Sequence, residues 1–502
     1  MTLLKKSFQG AAYQYVGLAS TAILGFFTSV YLIRKLTIEE YGIYNFLWSV
    51  VIVANLITAF GMPQAIQRYL PEYRQKNDIY TQKNIIIKSM LLRFLADVLF
   101  ALIFLVSIDK LLLVFNIPQG WKLCVFASLL ITFFNVESKL LGDGALSAML
   151  ENRYLNIINI ICKALQLGLF ILSIALGYGL YGIILAWLVI EVALFLSYFY
   201  KVYRNILCRP VLVSKDNKNL PLKRFMSFGG YVYLANIAFF FTDRSADIFL
   251  LSYFIGPEAV GLYSFAFGIP LTIMRLSPAS ALRSLLTPVV VSRYTATKSS
   301  KDLVYFFSFI SRLTFFIMVP LFISFMILSD GIIKYVFNVS YLGNKDLFIL
   351  SLFFVTILQF LYSYSSIIYT LEKKRLFLIS ILFGALNLIG DIILIPIYGA
   401  KGAVLATGVS GVLLIVVFHM VIKRSLSISY PWRSFASFSL NTLAMCVVLF
   451  ALKGLPNGVF SLVCVFLTGL AVYITASYFN KGFEKKDREL INKGIGREIW
   501  VF

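Results

Sequence analysis

Of the ionisable side chains inside apolar runs of this 502-residue chain, ten are the residues best placed to do chemistry. Five are basic: Arg93, Lys163, Arg244, Arg275 and Arg312. Five are acidic: Asp97, Glu191, Asp243, Asp247 and Asp391. A charge in apolar surroundings costs free energy and marks a functional candidate. Four of the five bases are arginines, whose planar fork grips phosphate oxygens in pairs, so this set suits an anionic cargo. A carboxylate in a low-dielectric cavity holds a proton more readily than in water, which makes the acids candidates for coupling to H+ or Na+. Each residue also has a structural alternative. Asp97 follows Arg93 by one helical turn and can neutralise it. Arg244 lies between Asp243 and Asp247, which allows a structural network as well as a cavity site. Lys163, Arg275 and Arg312 lie within about two turns of a helix end and can snorkel. As a set they point to an excess of unpaired positive charge at depth.

No constellation for catalysis accompanies them. The single histidine, His419, falls near a helix end and reads as a packing or interfacial residue. The five cysteines lack paired metal-ligand spacing, and no carboxylate pair is placed to line a soluble cleft. The reading is of a non-enzyme without cofactor or metal.

The elements that must position these charges are membrane helices. Hydrophobic residues make up 60% of the chain and charged residues 14%, against about 25% charged in a soluble domain. Apolar stretches of about 20 residues, each enough to span a bilayer, recur along the chain. They fall near 11–33, 43–62, 85–108, 117–136, 155–177 and 180–200, then near 226–254, 261–282, 303–328, 347–370, 376–396, 400–422, 435–452 and 459–479. The expectation is an all-α polytopic protein of about fourteen transmembrane helices. Threading these spans from a cytoplasmic N-terminus places roughly 32 Lys and Arg inside and about 8 outside, as the positive-inside rule requires. Both termini are therefore expected in the cytoplasm. The segment after Lys5 and Lys6 has no small-residue cleavage site and is expected to stay as the first helix. Topology accounts for most of the net charge of +22, so nucleic acid is not expected as a partner.

The chain is also duplicated. Tyr178-Gly179-Leu180-Tyr181-Gly182 before Leu185-Ala186 recurs as Tyr398-Gly399-Ala400-Lys401-Gly402 before Leu405-Ala406. Earlier in each half, Glu39, Gly42, Tyr44 and Phe46 match Glu258, Gly261, Tyr263 and Phe265. Six helices per half make the repeats parallel, with two C-terminal helices outside the duplication. The expected organisation is a six-helix bundle over 1–204, a cytoplasmic linker over 205–225, a second bundle over 226–424, two further helices over 425–480 and a cytoplasmic tail over 481–502. Two such bundles suit alternating access. Pro270, Pro278 and Pro288 bracket the eighth span as a possible hinge, and Pro63 and Pro320 also lie in or beside spans.

The run Arg34-Lys35-Leu36-Thr37-Ile38-Glu39-Glu40-Tyr41-Gly42-Ile43-Tyr44 resembles the junction of helices 1 and 2 in bacterial polysaccharide exporters. The segment from Asp247 through Gly256-Pro257-Glu258-Ala259-Val260-Gly261-Leu262-Tyr263 resembles their junction of helices 7 and 8. The resemblance covers essentially the whole chain. It points to the multidrug, oligosaccharidyl-lipid and polysaccharide exporter superfamily, in the branch of O-antigen and capsule repeat-unit flippases. It implies a bacterial inner-membrane protein that moves an undecaprenyl-pyrophosphate-linked oligosaccharide to the outer leaflet, drawing on an ion gradient and contacting membrane lipids. Multidrug exporters of the superfamily often carry an acidic cation site in helix 1; here 11–33 has no Asp or Glu. A cation-coupled drug exporter, or a lipid II or teichoic-type flippase, is the alternative within the superfamily. A membrane polymerase or ligase usually has a long outer loop, and the longest expected here is only Ser329 to Asp346.

Overall fold

The computed structural model describes residues 2–210, 244–276, 299–371, 374–495 and 500–501, with short pieces between 225 and 298. Among them there is no strand; helices follow one another throughout. In lipid a backbone must satisfy its own hydrogen bonds, and a helix does so within one segment. Twelve described helical stretches are long and apolar enough to cross a bilayer, and they coincide with twelve of the fourteen expected spans. The first expected span lies within a continuous helix, Thr2–Lys35. The expected span 226–254 is described as helix over its final part, Arg244–Phe254.

The chain forms two compact units, Met1–Gly261 and Leu262–Phe502. In the first, α1 (Thr2–Lys35), α2 (Ile38–Thr58), α3 (Met62–Gln75) and α4 (Ile79–Val114) lead to α5 (Lys122–Lys139). The helix does not end at 136, where the apolar run fades. It continues to Lys139 and then, without a loop, through a π-helical stretch, Leu140–Leu146. The end of α5 and its π-helical continuation thus hold Glu137, Lys139 and Asp143 within the same membrane-spanning stretch. Gly142 and Gly144 allow this, because a Cβ would meet Tyr198 and come within 3.2 Å of Pro63. The unit continues with α6 (Asn152–Ala175), α7 (Gly179–Val202), α8 (Arg244–Phe254) and the start of α9 (Pro257–Ala266). Leu140, Leu141, Ala145 and Leu146 pack with Met62, Ile66 and Val202 in one apolar core.

The helix 1–2 junction motif has a local cause. Thr37 caps α2: its hydroxyl accepts from Glu40 N at 3.2 Å while Glu40 Oε2 accepts from Thr37 N at 2.9 Å. This reciprocal pair satisfies two orphan donors. The repeat-matched glycines face each other's segments. A Cβ on Gly42 would stand 1.8 Å from Pro257 O, and one on Gly261 would stand 2.0 Å from Ile38 O.

The second unit contains the rest of α9, then α10 (Gly268–Leu276), α11 (Ser300–Ile327), α12 (Lys345–Leu358) and α13 (Leu361–Thr370). It ends with α14 (Lys374–Tyr398), α15 (Ala400–Lys423), α16 (Trp432–Leu452), α17 (Val459–Asn480) and α18 (Lys485–Ile495). The break between α9 and α10 at Phe267 sits just before Pro270, whose missing N–H cannot close the helix onto Ala266. Pro278 and Pro288 lie outside the described residues. The segment Ser329 to Asp346 is built of short helical turns that bury Phe337 and Tyr341 against Phe265. In the tail, α18 packs Ile491 into the core of the second unit.

Candidate functional site

Four helices of the first unit feed one chain of buried polar side chains. Glu191, on α7 and 5% exposed, accepts from Trp187 Nε1 at 3.1 Å through Oε1 and from Asn135 Nδ2 at 3.0 Å through Oε2. Asn135 on α5 accepts from Asn55 Nδ2 at 2.6 Å, and Asn55 on α2 accepts from Arg93 Nη2 on α4 at 3.2 Å. Every donor points the same way, from the Arg93 cation through two amides to the Glu191 anion. Such a polarised series in a low-dielectric interior strengthens each bond in it.

Beside this chain is a cavity of about 200 Å³. Its wall includes Lys139 and Asp143, both exposed, and Lys163, whose Nζ donates to Gln166 Oε1 at 2.7 Å and stands 6.0 Å from the Trp48 ring centre. Trp48 stacks obliquely on Trp187 at 5.1 Å. Lys163 therefore does not snorkel to a helix end; it sits in the middle of α6 and turns inward. Tyr198, donating to Asn159 Oδ1 at 2.9 Å, completes the polar wall.

Arg93 and Asp97 lie near the middle of α4, Arg93 about 21 Å along the axis from Ile79 and about 31 Å from Val114. Arg93 is wholly buried, and its surroundings include Glu137 of α5 as well as Asp97 and Asp143. Its direct hydrogen bond goes to Asn55. No direct hydrogen bond to Asp97 closes one turn away.

A model of the polysaccharide biosynthesis protein family matches residues 7–286. The chain belongs to that family. No curated protein matches the sequence. A solved lipid II flippase, MurJ in an inward closed conformation, is 16% identical, with 96% of this chain and 99% of that one covered at a TM-score of 0.71. An inward-facing multidrug resistance MATE family transporter of the MOP superfamily is also 16% identical, over 80% of this chain and 95% of that one, at a TM-score of 0.62. An outward-facing MATE family transporter matches at 15%, 83%, 94% and 0.52 respectively. At such identities the likeness is one of fold, that of solved MOP-superfamily transporters, and the apolar helices make the chain a multi-pass membrane protein.

The other basic residues expected at the site are spread out. In the first unit, Arg244 opens α8 and donates from Nη2 to Asn45 Oδ1 of α2 at 3.4 Å, while Asp247 is buried. Asp243 and the side chain of Arg275 lie outside the described residues. In the second unit, Asp391 is fully buried on α14, and Asn387 one turn earlier is largely so. Arg312 of α11 is held by the tail: Nε is 2.9 Å from Asp487 Oδ2, Nη2 donates to Asp487 Oδ1 at 3.3 Å, and Nη1 reaches Glu484 Oε1 at 2.5 Å. Tyr305 also donates to Asp487 Oδ1, at 2.9 Å. His419 is a packing residue, stacked on Tyr430 at 5.3 Å with Nδ1 against the Tyr364 hydroxyl at 3.1 Å.

Sequence reasoning missed Glu137, Lys139, Asp143 and the asparagines Asn55 and Asn135. The first three fall just beyond the apolar run that ends near 136. A usable signal was Gly142-Asp143-Gly144 following Leu140-Leu141: glycines flanking a charge inside a spacing too short for a loop and a turn.

Proposed function

We propose that this chain is a flippase that moves an undecaprenyl-pyrophosphate-linked oligosaccharide, of the O-antigen, capsule or exopolysaccharide kind, from the inner to the outer leaflet by alternating access. Membership of the polysaccharide biosynthesis family supports the cargo class, and the fold shared with a lipid II flippase supports a lipid-linked one. The observation that carries the reading is the pair Lys139 and Lys163 on the wall of a polar cavity within apolar helices. A pyrophosphate leaving water needs fixed cations and donors, and two ammonium groups with flexible stems supply them. Arg244 and Arg275 are further candidates to meet the head group, and both termini are assigned to the cytoplasm. Energy would come from an ion gradient.

The test is the leaflet distribution of the undecaprenyl-linked repeat unit. Loss of the protein should leave the repeat unit on the cytoplasmic leaflet, and Lys139→Ala/Lys163→Ala should do so at normal protein abundance. Unchanged surface polysaccharide in the deletion strain overturns the reading. A cation-coupled drug exporter is the second reading, favoured by the carboxylates Asp143 and Glu191 on the same cavity and by the MATE fold. It predicts a change in dye efflux with polysaccharide export intact.

A further inference from the structure

The charges that the helices of the first unit bring together do not balance, and only Arg93, Asp97, Glu137 and Glu191 among them are buried. From α4 come Arg93 and Asp97, from α5 Glu137 and Lys139, from the π-helical stretch Asp143, from α6 Lys163 and from α7 Glu191; α2 contributes the neutral Asn55 and Thr58. Lys139 and Asp143 are one turn apart and interact, as do Lys163 and Glu191. Arg93 is then left with two carboxylates, Asp97 and Glu137, which are 4% and 2% exposed.

Neither carboxylate is satisfied. Both oxygens of Asp97, both oxygens of Glu137, and Nε and Nη1 of Arg93 are buried without a hydrogen-bond partner. Thr58, which faces Asp97, donates its hydroxyl to Ala54 O at 2.9 Å. A permanent ion pair at this depth closes directly, because only close contact offsets desolvation. This cluster is open instead, with one cation facing two acids. Two bare carboxylates and one guanidinium would leave a net negative charge in a low-dielectric interior, a state that two acids avoid by sharing a proton.

We propose that Asp97 and Glu137 form a site for one exchangeable proton, with Arg93 compensating the remaining charge. A proton fits better than Na+. A sodium ion needs several oxygen ligands, Asn55 Oδ1 is taken by Arg93, and no group of three or more His, Cys, Asp or Glu among the described residues could hold a metal ion. The Asn55–Asn135 amides link Arg93 to Glu191 at the cavity, so loading the site changes the field along a connected path to the cavity wall. Resting on the exporter reading, this proton is the one whose gradient drives transport.

The test is independent of cargo. Difference infrared spectroscopy of the purified full-length protein, titrated across neutral pH, reads the protonated carboxyl band directly. The wild type should hold one such buried carboxyl at the cluster. Glu137→Gln should abolish it, since Arg93 then faces Asp97 alone, and Arg93→Gln should double it; Glu191→Gln should leave it in place. If Arg93→Gln does not fold, Asp97→Asn serves in its stead and should behave as Glu137→Gln. Absence of the band in the wild type, its survival in Glu137→Gln, or its displacement by Na+ would each overturn the proposal. None of these outcomes bears on whether a lipid-linked oligosaccharide is the cargo, which the leaflet assay reads separately.

Discussion

Removing the carboxylate of Asp487 should loosen the second unit more than removing any exposed charge of the chain. The Arg312 side chain is 3% exposed and that of Asp487 is 0% exposed, and the two are joined by a two-pronged contact at 2.9 and 3.3 Å. Asp487→Ala strands a buried guanidinium, for which the expected loss is about 3–5 kcal/mol. Glu484 reaches the same arginine, but its side chain is 59% exposed, so it rescues only part of the loss. The expectation is therefore the lower end, about 3 kcal/mol, whereas Glu484→Gln should cost about 1 kcal/mol or less. Replacing both partners, Arg312→Met with Asp487→Leu, should recover most of the loss because it removes the stranded charge. Thermal unfolding in detergent, with hydrogen exchange of residues 485–495, reports stability and tail attachment together. A change below about 0.5 kcal/mol in Asp487→Ala, with the tail still protected, would refute the argument. The same geometry means that Arg312→Ala lowers abundance as well as export, so an export defect in that variant is not evidence of a cargo contact.

Acidification should not detach the tail through this group. Burial raises the Asp487 carboxyl above its ordinary range, and Arg312 only partly counteracts it. A folded-state value above the unfolded one means that the protonated form is favoured by folding. This contribution is fully present below the unfolded value and is lost as pH rises through the folded one; exchange of 485–495 should stay slow between neutral and mildly acidic pH. In the first unit, Glu191→Ala leaves Trp187 Nε1 and Asn135 Nδ2 without their acceptor and should destabilise by about 2 kcal/mol, measured by thermal unfolding, while Glu191→Gln should cost less. Gly42→Val and Gly261→Val should each abolish folded yield, since even a Cβ would stand at 1.8 or 2.0 Å from a carbonyl oxygen. Gly168→Ala, with open space at its Cβ in the middle of α6, should gain about 1 kcal/mol and serves as the control.

What this chain decides locally was open to reading from residues alone. A span announces itself by its own apolar run, because a membrane helix closes its hydrogen bonds within one segment, and the duplication and the Thr37 cap are likewise contiguous in sequence. That is why twelve described spans fall where the runs predict them, and why Arg93, Asp97 and Glu191 were marked as unusual before any partner was known. Their partners were not legible. Asn55, Asn135 and Glu191 meet only because α2, α5 and α7 pack together, Glu137 comes beside Arg93 only because α5 runs on past its apolar end and packs against α4, and Arg312 meets Asp487 from 175 residues away. Whether a buried charge is cancelled, stranded or left to take a proton depends on which side chains the packing brings within a few ångströms, and no periodicity along one chain records that distance.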